Sequence, residues 1–314
     1  MDGYVVTQLL YVAAELGVAE ALARGPRTGP ELAEAVGADT GALTRVLRGL
    51  SVEDVVAEHA GRFALTPLGE AMLPLAGAIK VRGQVYYRSA AGLLDAVREG
   101  GTAFERERGV RFFDHLAAHP EDGAAFQASM ADRSQQEAEA VVAAYDFSGI
   151  RHLVDVGGGR GVLLAAILDA ADLRATLVDR SGAVEAARAH LGGRATCIEG
   201  DFFDALPLGA DAYLLSRVLH DWDDVDAARI LAVCRAAMDD AARLLVVDAI
   251  LPEHAKDAPA AIRMDLHMLL LLGARERTEA EFRALLASAG FDVRRVVPTA
   301  SPAGLSVIEA VRGS

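Results

Sequence analysis

The chain has 314 residues, 52% apolar and 24% charged, and its 45 acidic side chains against 31 basic ones leave a formal net charge of −14. That length accommodates two domains and that apolar content excludes disorder, while no apolar run approaches the roughly 18 residues a membrane-spanning helix needs. The negative balance argues against general affinity for phosphate backbones or anionic lipid, so neither a nucleic-acid nor a membrane partner is expected.

Only Cys197 and Cys234 occur, outside any C-x-x-C pair, so neither a disulfide framework nor a zinc knuckle can be built from them. The first basic residue is Arg24. No cationic leader segment is therefore read, and a reduced, cytoplasmic setting is expected.

Tyr4 to Ala23 places Val6, Leu9, Leu10, Ala13, Leu16 and Ala19 at helical spacing and reads as one amphipathic helix, suited to burial against a second subunit. Two short helices follow, Pro30 to Val36 and Ala42 to Leu50, with Asp39 or Thr40 as cap of the second. Val55 to Glu58 and Arg62 to Thr66 read as a hairpin, and two helices followed by a hairpin make a winged helix-turn-helix. Such modules often bind DNA, but the first hundred residues carry nine basic side chains against twelve acidic ones. A packing or dimerisation role is favoured.

Residues 1–95 are taken as this first domain, 96–145 as a helical connector rich in aromatics, and 146–314 as a second domain. From Arg151 onward, short apolar runs alternate with helices. His152 to Val156, Ala175 to Val178, Ala195 to Ile198, Ala212 to Leu215 and Leu244 to Val247 read as buried strands. The intervening helices imply an α/β fold with a parallel sheet covered on both faces. Phe291 to Val297 and Leu305 to Val311 follow as an antiparallel pair.

The first βα turn reads Asp155-Val156-Gly157-Gly158-Gly159-Arg160-Gly161-Val162. Val162 stands where a dinucleotide fingerprint requires glycine, so a dehydrogenase site is disfavoured. An acidic residue two positions before G-x-G-x-G suits a ligand carrying both an ammonium and a carboxylate, the amino-acid end of S-adenosylmethionine. Asp179 closes the second strand at the spacing where an acidic group takes ribose hydroxyls. Gly200-Asp201-Phe202 places a carboxylate and an aromatic ring after the third strand. After the fourth comes Ser216-Arg217-Val218-Leu219-His220-Asp221-Trp222. His220 suits a general base near neutral pH, and Asp248 and Glu276 are the candidate carboxylates to orient it.

These motifs, LVDVGGGRG, GDFF, LHDW, VVDAILPE and GARERTEAEF, resemble those of small-molecule O-methyltransferases of the plant caffeate type and their bacterial antibiotic-tailoring relatives, over nearly the whole chain. The resemblance implies a Rossmann-like domain with a mostly parallel seven-stranded sheet whose last strand is antiparallel, behind an α-helical winged-helix dimerisation domain, and a homodimer. It assigns S-adenosylmethionine to Asp155, Gly157, Asp179, Asp201 and Phe202, with Trp222 bordering the adenine. Gly159, Arg180 and Gly200 flank these positions, and Ser216 and Arg217 stand where plant members carry a lysine near the cofactor.

The resemblance also makes His220 the base with Asp248 and Glu276 around it, and no metal is called for. Asp248 departs from the longer glutamate typical of plant enzymes and is expected to hold His220 less closely. The acceptor pocket is expected between the helical middle and the sheet's C-terminal edge. Phe112, Phe126, Met130, Asp265 and Met268 are candidate lining residues, although core packing explains each equally well. Methylation of a phenolic or enolic hydroxyl of a small aromatic or polyketide-like metabolite is the favoured activity. The alternatives are a cofactor-assisted rearrangement, hydroxylation or decarboxylation without methyl transfer, and a winged-helix transcription factor.

Overall fold

The N-terminal apolar stretch forms two helices, Gly3–Glu15 and Val18–Leu22, where its periodicity predicts one. Gly17 adopts φ +69°, a left-handed conformation that ends the first helix. The apolar spacing runs on across the break and so conceals it. The computed structural model describes residues 2–301 and 303–313, with their side chains except those at 121, 124, 125 and 127–133.

The next two helices, Gly29–Val36 and Thr40–Val52, start on side-chain caps: a Thr28–Glu31 capping box and the Asp39 carboxylate accepting from the Ala42 amide. Strands Val56–His59 and Arg62–Leu65 pair antiparallel, and Arg27–Thr28 adds a third strand that the sequence did not signal. Leu32, Leu43, Leu47, Leu50 and Phe63 are buried as the core of this winged helix. A series of helices follows, ending in Pro120–Ala144. Two compact units emerge, Met1–Asp132 and Arg133–Ser314, and their boundary falls inside that last helix, between the sequence-based boundaries at 95 and 145.

The second unit is built on seven strands: β1 (His152–Val156), β2 (Arg174–Asp179), β3 (Thr196–Glu199), β4 (Ala212–Ser216), β5 (Arg243–Leu251), β6 (Phe291–Pro298) and β7 (Leu305–Arg312). Their order is β6-β7-β5-β4-β1-β2-β3. β1 to β5 pair in parallel, and β7 runs antiparallel to both β5 and β6. The expected seven-stranded sheet is present, and a two-residue strand, Arg277–Thr278, adds a parallel bridge to the end of β5. Apolar residues alternate between the two faces: Val154, Val156, Leu244 and Val246 enter one core, and Leu153, Leu245 and Val247 enter the other. Both faces are buried, which is why these strands read as continuous apolar runs.

Helices Val162–Ala170, Ser181–Leu191, Asp224–Ala237 and Glu279–Ser288 alternate with the strands, as the pattern of apolar runs implies. Pro259–Leu271 is an additional helix, beginning with proline at its first turn. Strand order reverses between β1 and β4, and the carboxyl ends at such a switch point form the crevice where open α/β sheets bind ligands. No helix among the described residues is long and apolar enough to cross a membrane.

Candidate active site

The glycine turn after β1 has Gly157, Gly159 and Gly161 at φ +71°, +56° and +75°, which explains their alternate spacing. A Cβ on Gly157 would meet Val218 and the Phe202 ring, so this stretch is a cradle that any side chain would fill. Asp179 at the end of β2 ties the turn down: its carboxylate accepts from the Gly159 amide at 2.8 Å and from the Arg180 amide at 2.7 Å. The exposed Arg180 contributes that amide as the N-cap of the following helix.

Asp155 is placed differently from the sequence expectation. It is 1% exposed, and a Cβ on Gly158 would collide with its carboxylate. Asp155 therefore supports the turn from beneath. Its Oδ1 is buried without a hydrogen-bond partner, and burial, reinforced by the Asp179 charge, pushes its pKa up to about 7.

After β3, Gly200 packs on Val178, and the exposed Asp201 accepts from the Phe203 amide at 2.9 Å. Phe202, Phe203 and Trp222 form an aromatic group, with Trp222 edge-on to Phe203 at 4.8 Å and to Phe202 at 6.1 Å. Ser216 ends β4 half-buried.

His220 lies in a one-turn 3₁₀ helix after β4 and is buried. Its Nδ1 is 3.0 Å from Glu276 Oε1, and its Nε2 is 3.3 Å from Asp221 Oδ1. Asp248, Glu276 and His220 each bring a polar atom within 4.8 Å of the others. Glu276 is the carboxylate bonded to the ring, whereas neither oxygen of Asp248 has a hydrogen-bond partner. Burial raises the pKa of Asp248 to about 7, against the pull of His220 and Arg217. Burial and the Arg217 guanidinium push the imidazole of His220 down, but Asp221, Asp248 and Glu276 outweigh them and hold it above the usual histidine value. Arg217, expected on the cofactor side, instead brings NH1 to 3.6 Å from Glu276 and 3.8 Å from Asp248.

Arg277 is a functional residue that sequence reasoning missed. It is fully buried and donates to the Leu219 carbonyl at 2.7 Å, to the Trp222 carbonyl at 2.9 Å and to Asp224 Oδ1. It thus grips both sides of the turn that carries His220 while its neighbour Glu276 bonds the ring. Thr278 then caps the next helix in a capping box with Glu281. The clue lay in the run Glu276-Arg277-Thr278, one residue for each task. Asp221, beside Nε2, was likewise overlooked inside the LHDW motif.

The lining candidates fall in both units, Phe112, Phe126 and Met130 in the first and Asp265 and Met268 in the second. Phe112 is buried in an aromatic cluster, edge-on to Phe104 and Phe126 at 5.3 Å each. The Met130 side chain lies outside the described residues, and Met268 is buried in its helix. Asp265 has a partner within the fold: its carboxylate accepts from the Glu276 amide at 2.9 Å.

A glycine cradle with an aromatic group beside it suits a ligand with a purine and a ribose. A family model for the O-methyltransferase domain matches residues 91–292, and one for the O-methyltransferase dimerisation domain matches residues 1–74. The chain is 43% identical to the phenazine O-methyltransferase PhzM of Lysobacter antibioticus, over 99% of this chain and 94% of that one. It is 38% identical to the aclacinomycin 10-hydroxylase RdmB of Streptomyces purpurascens, over 98% and 88%. Among solved structures, an O-methyltransferase from neocarzinostatin biosynthesis, in complex with S-adenosylmethionine and 2-hydroxy-5-methyl naphthoic acid, superposes with a TM-score of 0.87 at 34% identity, covering 98% of this chain and 96% of that one. The chain belongs to the S-adenosylmethionine-dependent O-methyltransferases.

Proposed function

We propose that this enzyme methylates a phenolic hydroxyl of a small aromatic natural product, with His220 as general base. The observation that carries the reading is the buried His220–Glu276 pair, 3.0 Å apart, beside the glycine turn's end of the sheet. S-adenosylmethionine, when bound, supplies an activated methyl group. The protein has to align the acceptor oxygen and accept its proton. Glu276 accepts from Nδ1–H and fixes the tautomer that leaves a lone pair on Nε2. Once Nε2 takes the phenolic proton, Asp221 at 3.3 Å is the second carboxylate flanking the imidazolium. A phenol near pKa 10 is only slightly ionised at neutral pH, which is why a base matters.

Asp155, Gly157, Gly159, Asp179, Arg180, Gly200, Asp201, Phe202, Ser216 and Trp222 are read as the cofactor's surroundings. Asp155 and Asp179 shape the turn, and the aromatic group flanks the adenine. The acceptor class follows the relatives, one of which methylates phenazines by name and another of which is in complex with a hydroxynaphthoic acid. We also read the enzyme as a homodimer formed through residues 1–74, where Tyr4 is 60% exposed. Light scattering on the purified chain tests that reading.

A second reading, modification of the acceptor without methyl gain, rests on the likeness to a hydroxylase. Mass spectrometry of products from a panel of phenolic acceptors separates the two. A product heavier by one CH2, formed with S-adenosylhomocysteine, supports methylation; an added oxygen without that by-product overturns it. His220→Gln should lower kcat by roughly 10²–10⁴-fold and leave cofactor affinity intact. Undiminished turnover would remove His220 from the role of base.

A further inference from the structure

Arg217 adopts φ +56°, in the left-handed region that favours glycine, yet it carries a long side chain that is only 14% exposed. Its backbone is pinned there, the amide donating to Val247 O at 2.9 Å across from β4 to β5. The guanidinium reaches Asp248 and Glu276 at 3.8 and 3.6 Å, beyond hydrogen-bond length, and its Nε and NH1 make no hydrogen bond at all. Both carboxylate side chains are fully buried. What Arg217 contributes is therefore charge, not directional bonding.

The charge has a specific task. His220 faces Glu276 at Nδ1, Asp221 at Nε2 and Asp248 nearby, and Glu137 of the long helix also acts on Arg217. Carboxylates alone around a buried ring would favour the imidazolium, which has no lone pair to accept a proton. We propose that Arg217 is a positioning residue for the base, a buried counter-charge that offsets Asp221, Asp248 and Glu276 and so leaves the His220 imidazole free to take the acceptor's proton. This rests on the reading of His220 as base. Lysine would not substitute fully, because a compact ammonium cannot spread its charge toward two carboxylates as a planar guanidinium does.

The test is a histidine-selective NMR titration of the full-length chain without cofactor, the His220 signal being assigned by its loss in His220→Gln. It is run on wild type, Arg217→Met, Arg217→Gly and the double variant Arg217→Gly/Asp221→Asn. Arg217→Gly is included because glycine relieves the left-handed strain and keeps the fold accessible if the methionine variant does not fold. Loss of the guanidinium should move the His220 midpoint upward by about one pH unit, a tenfold change in proton affinity. Removing the Asp221 charge as well should move it most of the way back.

An unmoved midpoint in Arg217→Gly, or no return in Arg217→Gly/Asp221→Asn, overturns the proposal. In parallel, kcat in Arg217→Gly should fall about tenfold near neutral pH and recover in alkaline solution. A uniform loss at every pH would mark a merely structural role and also overturns it. If wild-type kcat shows no acid limb and His220→Gln turns over normally, it is the base assignment that has failed, whatever the NMR midpoints do.

Discussion

His220 Nδ1 and Glu276 Oε1 stand 3.0 Å apart although 56 residues separate them in the chain. The contact depends on a parallel bridge two residues long, in which Ile250 pairs with Arg277 and Leu251 with Thr278 at the end of β5. That bridge delivers Glu276 to the ring and Arg277 to the carbonyls on either side of it. Asp265 adds a further tie, because its carboxylate holds the Glu276 amide.

Glu276 should therefore matter more to turnover than Asp248. Glu276→Ala removes the acceptor for Nδ1–H and is expected to lower kcat by roughly 10–100-fold with little change in cofactor affinity, while Asp248→Asn has the smaller effect. Steady-state kinetics with the cofactor saturating checks the order. Equal losses, or a larger one for Asp248→Asn, would contradict the geometry.

The pH dependence has a definite direction. Carboxylates outweigh burial and Arg217 in holding the His220 pKa above the usual 6.5, and a base must be unprotonated to work. The acid limb of kcat should thus lie above 6.5, activity rising as pH rises through it. A limb at or below the ordinary histidine value, measured in the wild type, contradicts this assignment of charges.

Arg277 is fully buried, and its guanidinium bonds two carbonyls and Asp224 at once. Arg277→Met leaves those carbonyls without a donor and should destabilise the fold by about 2–4 kcal/mol. Arg277→Lys should rescue only part of the loss, since one ammonium cannot span the three acceptors in the same fork. Urea denaturation of the three proteins reads this directly.

Asp155 offers a stability test free of catalysis. Its folded-state pKa of about 7 lies above the unfolded value, so the folded chain holds a proton between roughly pH 4 and 7 that the unfolded chain releases. Stability from this group is present in acid and is lost as pH rises through 7. Asp155→Asn, neutral and of the same shape, should remove that loss: close to wild type near pH 4, and more stable at pH 8 by up to about 4 kcal/mol. Thermal melts of cofactor-free protein at both pH values decide it. A variant less stable than wild type at pH 8 would mean that the charged carboxylate is stabilised in the fold.

The alternation of apolar runs with helices located the strands, most sharply β1, β4 and β5, which are buried on both faces and almost wholly apolar. The glycine spacing located the turn after β1, because three left-handed residues are needed there. Gly17 shows the limit of periodicity, which follows side-chain hydrophobicity and is blind to one left-handed backbone. The helix Pro259–Leu271 was not foreseen either. It buries Ala261, Met268, Leu270 and Leu271 while Arg263 and Leu266 stay exposed, so its apolar stripe is short and interrupted.

By itself, then, the sequence determined the α/β class, the glycine turn, the identity of the histidine and the acidic residues able to serve it, all properties of residue type and short spacing. Tertiary structure alone decided which carboxylate bonds His220, where Arg217 sends its charge, that Arg277 clamps the turn and that Asp155 lies beneath the loop. Each of those depends on strand register and burial between segments far apart in the chain. No local pattern of hydrophobicity or propensity encodes a contact of that kind.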